Sequence, residues 1–286
     1  MVLVSGKTKV CGVIGDPIEH SLSPIMHNAA FEALKIDYVF LAFKVEAAKI
    51  KNAMDGMRAL GIHGLNVTMP HKNSVVKYMD ELDTTAKTIA SVNTILSKDG
   101  RLFGFNTDGV GALNALERNG VAVKGKKILL LGAGGAAKAI AHTLSQEADE
   151  LVILNRTPER VTELANLLKQ KFNKKINVDA LTPKTVKDNL AKVDVIINAT
   201  SVGMEPNAHQ TPISPEWLRP DLAVMDIVYN PLETNLAKDA KAAGAKVVSG
   251  VEMLTYQGAA SFEIWTACNA PVEVMRKAAL NHLLRV

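Results

Sequence analysis

Three short clusters in the first 110 residues carry the side chains with chemistry to offer. Residues 15–28 read Gly-Asp-Pro-Ile-Glu-His-Ser-Leu-Ser-Pro-Ile-Met-His-Asn. Ser23-Pro24 is a helix-start signature, with Ser as N-cap and Pro at the first helical position. Ser21 and Ser23 would then set two hydroxyls at the positive end of a helix, where a carboxylate can be held without a formal cation. The plainer alternative gives Ser23 the cap alone and leaves Ser21 in a loop. His20 and His27 invite an acid/base reading, but the helical spacing of His27 suits a packed structural histidine better. In the second cluster, Gly64 to Lys72, a buried strand ends at Thr68, Pro70 stops it, and Lys72 stands near the start of the next helix. Loops after strand C-termini are where α/β folds place ligands. Position alone leaves Lys72 between a specific role and solvated surface. The third cluster joins Ser91-Val92-Asn93-Thr94 to Gly104-Phe105-Asn106-Thr107-Asp108-Gly109. Asp108 precedes a helix and reads as its N-cap. It also reads as a carboxylate beside Lys72, a pair able to shuttle one proton to and from a substrate hydroxyl.

A cofactor motif follows. In Lys127 to Ala137 an apolar run ends in glycines and a helical pattern starts at once. Gly132, Gly134 and Ala137 have the G-x-G-x-x-G/A spacing of a dinucleotide-binding turn: one glycine for the turn, one for approach to a pyrophosphate, a small residue for helix-on-strand packing. The next strand, Leu151 to Leu154, ends in Asn155-Arg156-Thr157, with Arg160 one turn on. No acid stands where an NAD site holds the ribose diol, and arginine offers a fork suited to phosphate, so NADP is favoured over NAD. Thr157 also reads as an N-cap with Pro158 at the first helical position, which does not compete with anion binding.

These loops need elements to hold them. Candidate strands are 9–14, 38–43, 64–68, 92–96, 101–105, 127–132, 150–154, 193–198, 222–228 and 245–248. Helical patterns fill 24–35, 46–60, 73–79, 84–90, 108–119, 135–147, 157–171, 233–243 and 252–284, the last broken near Pro271. The alternation predicts parallel sheets covered on both faces, with a hairpin at Ser97-Lys98-Asp99-Gly100 as the exception. At 286 residues, 48% of them hydrophobic, the chain can bury two cores. The expected architecture is α/β in two domains with a cleft between them. Residues 1–107, completed by the C-terminal helices 251–286, form a substrate domain, and 108–250 a Rossmann-type domain.

A net charge of +4 with no basic block argues against a nucleic-acid partner. The glycines and Lys138 interrupt the apolar stretch 128–144, so no membrane partner is expected. The start of the chain carries no secretory-signal pattern. Cys11 and Cys268 are the only cysteines. They suggest neither a metal site nor a disulfide framework, and a cytoplasmic location is expected.

Taken in order, these motifs resemble the shikimate/quinate dehydrogenase family. The likeness runs over nearly the whole chain, continuing through Asn198 to Met204, Asp226 to Pro231, Gly250, Met253-Leu254 and Gln257. The resemblance implies reversible NADPH-dependent reduction of 3-dehydroshikimate to shikimate in aromatic amino-acid biosynthesis. It implies Lys72 and Asp108 as catalytic pair, Ser21 and Ser23 on the substrate carboxylate, and Thr68, Asn93 and Gln257 on its hydroxyls with Tyr229 nearby. For the cofactor it implies Gly132, Ala133, Gly134, Gly135 and Ala136 at the pyrophosphate, and Asn155, Arg156, Thr157 and Arg160 at the adenosine phosphate. Thr200, Ile227, Gly250 and Met253 would line the path from adenine to nicotinamide. Without the resemblance, Tyr229 and Gln257 read as ordinary element-end packing. Three positions depart from the family's usual pattern: Ala90-Ser91 where Gly-Ala is common, and Ala267 where Gly is common, each a small-for-small change at an expected packing position. A broader quinate/shikimate enzyme, or a non-catalytic nucleotide-binding sensor, is the alternative. Monomer and homodimer both fit.

Overall fold

The computed structural model describes residues 4–285. The chain divides into two compact units, one running to Asp108 and resuming at Thr255, the other Gly109–Leu254. One helix begins at Asp108, at the first division, and another runs unbroken across the second.

The first unit opens with β1 (Lys9–Gly15), α1 (Ser23–Leu34), β2 (Tyr38–Lys44), α2 (Ile50–Ala59) and β3 (Gly64–Val67). It continues through β4 (Glu81–Leu82), α3 (Thr84–Ile89), β5 (Thr94–Lys98) and β6 (Arg101–Phe105). The sheet order is β2-β1-β3-β5-β6-β4. Strands β1, β2 and β3 are parallel, β5 is antiparallel to β3 and to β6, and β4 lies parallel to β6. The β5–β6 hairpin closes through Asp99 and Gly100, both at positive φ (52° and 75°). That is the pair of conformations a type I′ turn requires, and Asp-Gly supplies it. Register places Ile14 beside Val67, Asn66 opposite Thr94, and Thr94 opposite Phe105. The residues just beyond these positions leave the sheet at one end. All three chemical clusters are therefore carried there by strand ends.

The second unit contains α4 (Asp108–Arg118), β7 (Lys127–Leu131), α5 (Gly135–Leu144), β8 (Glu150–Asn155), α6 (Glu159–Phe172) and β9 (Lys175–Ala180). Then come α7 (Pro183–Leu190), β10 (Val195–Asn198), β11 (Ala223–Asp226), α8 (Asn235–Ala242) and β12 (Lys246–Val248). All strands are parallel, in the order β12-β11-β10-β7-β8-β9. Taking β7 as the first strand, this is the doubly wound dinucleotide order, and its switch point lies between β7 and β10. Helices α9 (Gly250–Thr266) and α10 (Val272–Leu283) end the chain.

Several sequence expectations shift. The helix expected over 73–79 is a turn followed by one 3₁₀ turn at Val76–Tyr78. Three elements escape the apolar-run pattern: the two-residue β4, the edge strand β9, and α7. In β9 only Ile176 is fully buried, so the run never becomes apolar. Helix α7 is polar and short, but Thr182 and Thr185 form a reciprocal capping box with Pro183 inside it.

Two cores support the units. In the second, the central strands β7, β8, β10 and β11 are largely apolar and buried on both faces, with Ile128, Leu130, Ile153 and Ile197 fully buried. In the first, α1 and α9 supply an aromatic layer in which His27 stacks on Phe40 at 4.4 Å and lies close to Phe262 and Trp265. Trp265 Nε1 donates to the Ile95 carbonyl, tying α9 to β5.

Candidate active site

Lys72 lies in the turn after β3, not in a helix. Its backbone carbonyl accepts from Val92 N–H at 2.8 Å, which fixes the turn against the chain entering β5. From there its Nζ donates to Asp108 Oδ2 at 2.6 Å. Asp108 is the first residue of α4 rather than the residue before it. Its side chain is only 5% exposed and that of Lys72 17%. The second carboxylate oxygen of Asp108 accepts from Asn93 Nδ2 at 2.9 Å, and its N–H donates to Asn106 Oδ1. Asn93 Nδ2 also meets Thr107 Oγ1 at 2.9 Å and Gln257 Oε1, on α9, at 3.4 Å. One ammonium, one carboxylate and two carboxamides thus meet at the strand ends. Such a group can hold a hydroxyl and move a proton at it.

The flanking residues differ in part from expectation. Ser23 is not the N-cap of α1. The helix includes it, Leu22 stands at the cap position, and no side chain caps the end. Ser21 Oγ instead accepts from Ser23 N–H at 3.3 Å. Pro24 and the local turn Ser21 N–H to Ile18 carbonyl start the helix without a side-chain cap, which leaves the Ser23 hydroxyl uncommitted to that task. Thr68 abuts Gly15, and its N–H donates to the Ile14 carbonyl. His27 is wholly buried and neither ring nitrogen reaches a partner within hydrogen-bond distance. Burial pushes its pKa down to about 3, which the nearby Asn66 amide opposes only in part. It is a neutral core residue.

The nucleotide half lies at the ends of β7, β8, β10 and β11. Gly132 has φ +116°, and a Cβ there would lie 2.7 Å from the Ala199 carbonyl, at the switch point. Only glycine fits. Ala133 follows. Gly134 stands at the cap position of α5 with open space where a Cβ would be, and Gly135 and Ala136 begin that helix. A turn with room beside free helix N–H groups fits a pyrophosphate. Ala137 is buried and lets α5 pack on the sheet. Asn155 ends β8, and its Nδ2 donates to the Thr157 carbonyl. Arg156 and Arg160 are exposed beside it. Thr157 is not the N-cap: α6 starts one residue later than expected, with Pro158 at the cap position and no side-chain cap.

A buried network shapes the other side of this half. Asn198 Nδ2 donates to Asp226 Oδ1 at 2.9 Å, Asn198 Oδ1 accepts from the Thr200 hydroxyl at 2.7 Å, and Ile227 N–H donates to the Asn198 carbonyl. Thr234 Oγ1 and Val228 N–H complete the shell of Asp226, whose pKa burial nonetheless raises. Tyr229 follows on the same loop, its phenol pushed up by burial. Gly250 opens α9 against the carbonyl of Val228, with no room for a side chain, and Met253 is buried one turn on. Tyr229 therefore belongs to the second unit, while Ser21, Ser23, Thr68, Lys72, Asn93, Asp108 and Gln257 belong to the first. Among the described residues no His, Cys, Asp or Glu group is arranged to hold a metal ion. No helix among them is long and apolar enough to cross a membrane.

Family models for the shikimate dehydrogenase substrate binding domain, for shikimate/quinate 5-dehydrogenase and for the shikimate 5'-dehydrogenase C-terminal domain match residues 13–95, 114–213 and 250–280. The shikimate dehydrogenase (NADP+) of Methanocaldococcus jannaschii is 48% identical over 284 residues, covering 99% of this chain and all of its own. The chain belongs to the shikimate dehydrogenase family. A crystal structure of a shikimate dehydrogenase in complex with NADP+ superposes with a TM-score of 0.92 at 47% identity, covering 98% of each chain. The enzyme from Listeria monocytogenes in complex with shikimate and NAD superposes at 0.90 with 38% identity, covering 96% and 97%.

The departures from the family's usual glycines prove conformational rather than matters of packing. Ala90 ends α3 at φ 50°, and Ala267 follows α9 at φ 55°. Both alanines occupy the left-handed region that glycine enters freely. Ser91 adds a buried hydroxyl with no hydrogen-bond partner. Sequence reading also gave no side-chain role to Asn66, Thr94, Thr107 or Ser261, which surround Asn93. The one available signal was Ser261 itself, a small polar residue one helical turn after Gln257.

Proposed function

We propose that this chain catalyses the reversible NADP(H)-dependent interconversion of 3-dehydroshikimate and shikimate, the shikimate dehydrogenase reaction of aromatic biosynthesis. The observation that carries this reading is the Lys72–Asp108 contact, 2.6 Å long and joined by Asn93 and Gln257 at one end of the first sheet. Bound NADPH supplies a hydride to the substrate carbonyl carbon. The carbonyl oxygen then needs a proton, and Lys72 is the group to deliver it as an ammonium; in the reverse direction neutral Lys72 takes the hydroxyl proton. Asp108 holds and orients the Lys72 head. Gln257 and Thr68 take the ring hydroxyls together with Asn93, whose carboxamide also holds the Asp108 carboxylate. Ser21 and Ser23 take the carboxylate, and Tyr229 is the remaining candidate substrate residue.

The glycine turn at 132–136 takes the pyrophosphate, and Asn155, Arg156, Thr157 and Arg160 take the 2′-phosphate, which selects NADP over NAD. Thr200, Ile227, Gly250 and Met253 line the rest of the dinucleotide site. A cytoplasmic setting accords with two unpaired cysteines. The test is direct. Purified protein is given shikimate or quinate with NADP+ or NAD+, and reduced nicotinamide is followed at 340 nm. Fastest turnover with shikimate and NADP+ is expected. Turnover with quinate and NAD+ alone overturns the assignment.

A further inference from the structure

Ser261 is wholly buried, one turn beyond Gln257 on the same helix. Its Oγ accepts from Asn66 Nδ2 at 3.0 Å and lies 2.8 Å from Thr94 Oγ1, 3.2 Å from Thr107 Oγ1 and 3.1 Å from the Gln257 carbonyl. Counting protons gives these contacts a direction. Thr107 N–H can only donate, and it lies 2.8 Å from Asn93 Oδ1. That atom must be the carbonyl oxygen, so Nδ2 is the end turned toward Asp108. Thr94 Oγ1 is 2.9 Å from the same Oδ1 and must also donate to it. A hydroxyl has one hydrogen. The Thr94 hydrogen is spent on Asn93, so the 2.8 Å contact to Ser261 is made by the Ser261 hydrogen, which is shared with the longer 3.1 Å contact to the Gln257 carbonyl, while Asn66 Nδ2 reaches Thr94 Oγ1 as well at 3.2 Å.

The result is a one-way chain from Asn66 N–H to Ser261 O–H to Thr94 O–H to Asn93 Oδ1, each link supporting the next. With Thr107 N–H, and the Thr107 hydroxyl 3.3 Å away, it surrounds that oxygen with donors. Rotating the carboxamide by half a turn would bring its NH2 against two donors and take Nδ2 away from Asp108.

We propose that Ser261 is a positioning residue, which through Thr94 holds the Asn93 carboxamide in the orientation that presents Nδ2 to Asp108. The inference rests on the shikimate dehydrogenase reading, because its effect is read at the Lys72–Asp108 pair. It also explains why Thr94, which has no group to offer a substrate beyond this chain, carries a hydroxyl where valine would fill the same buried space.

The experiment compares Ser261→Ala, Thr94→Val, Thr94→Ser and the Ser261→Ala/Thr94→Val double variant in shikimate oxidation by NADP+. Loss of one locking hydrogen bond of about 1–1.5 kcal/mol corresponds to about a tenfold fall in kcat for Ser261→Ala and for Thr94→Val. The KM for NADP+ stays at the wild-type value, since that site is carried by the other unit. Thr94→Ser keeps the hydroxyl and stays within about threefold of wild type, and the double variant falls no further than Thr94→Val alone. Additive losses, equal impairment of Thr94→Ser and Thr94→Val, or unchanged kcat in the single variants would each overturn the proposal. A wild-type protein that does not oxidise shikimate sinks the functional reading and this inference with it. A fully active wild type with unaffected variants sinks this inference alone.

Discussion

Lys72 Nζ lies 2.6 Å from Asp108 Oδ2, although 36 residues separate them and they arrive on different elements. The turn after β3 brings one, and the start of α4 brings the other. Asn93 holds the second carboxylate oxygen, so the carboxylate is fixed at both ends. Lys72→Ala should lower kcat by about two to four orders of magnitude, the range for a lost general acid. The KM for NADP+ should stay nearly constant. Steady-state kinetics in both directions checks this, and near-wild-type kcat would remove Lys72 from the mechanism.

Arg156 stands exposed just beyond the end of β8, and the proposed function assigns it to the 2′-phosphate that distinguishes NADP from NAD. Hydrogen bonds to charged groups contribute about 1.5–3 kcal/mol. Arg156→Ala should therefore weaken NADP+ by roughly ten- to a hundredfold and leave NAD+ almost unchanged. Calorimetric titration of both cofactors measures the difference directly. Equal losses would show that Arg156 does not recognise the phosphate.

The left-handed alanines offer a stability test. An L-residue in this region costs about 1–2 kcal/mol, and glycine returns part of that as unfolded-state entropy. Ala90→Gly and Ala267→Gly should each stabilise by about 0.5–1 kcal/mol. Ser91→Ala removes a buried hydroxyl that has no partner and should stabilise by about 1 kcal/mol. Thermal melts should shift upward by roughly 1–3 °C for each. A downward shift for Ala90→Gly would mean that the Ala90 methyl packs more favourably than its backbone conformation costs.

Two buried histidines set an acid limit on stability. Burial lowers His27 to about 3 and His142 to about 4, against 6.5 for each when unfolded. The unfolded chain thus binds more protons as pH falls through 6.5. The stability these neutral rings provide is complete above pH 6.5 and is lost toward their folded values. Each contributes a slope of up to about 1.4 kcal/mol per pH unit. Urea midpoints measured between pH 7.5 and 5.5, above the ordinary carboxylate range, should fall. His27→Phe should flatten that dependence, and an unchanged slope would show that His27 does not titrate on unfolding.

Much of this molecule is legible before any coordinates. The glycine spacing at 132–137 marks the Rossmann-type unit, because a tight turn restricts which residues can serve. Asp99-Gly100 fixes the hairpin for the same reason. Strand β9 shows no apolar run because its Ile176, Val178 and Ala180 alternate with polar residues on an edge, and α7 shows none because its cap, not its apolar content, starts it. Ser23 and Thr157 looked like caps, but Ser21 and the prolines changed how those helices begin.

By itself, the sequence determined the alternation of elements, the dinucleotide turn and the list of polar residues on strand-end loops. These depend on local conformation and on side-chain type. Only the tertiary structure decided that Lys72 meets Asp108, that Ala90 and Ala267 sit at positive φ, and that Ser261 reaches Thr94 across 167 residues. Distance between residues far apart in the chain is set by sheet register and helix packing. Neither is written in any single stretch of sequence.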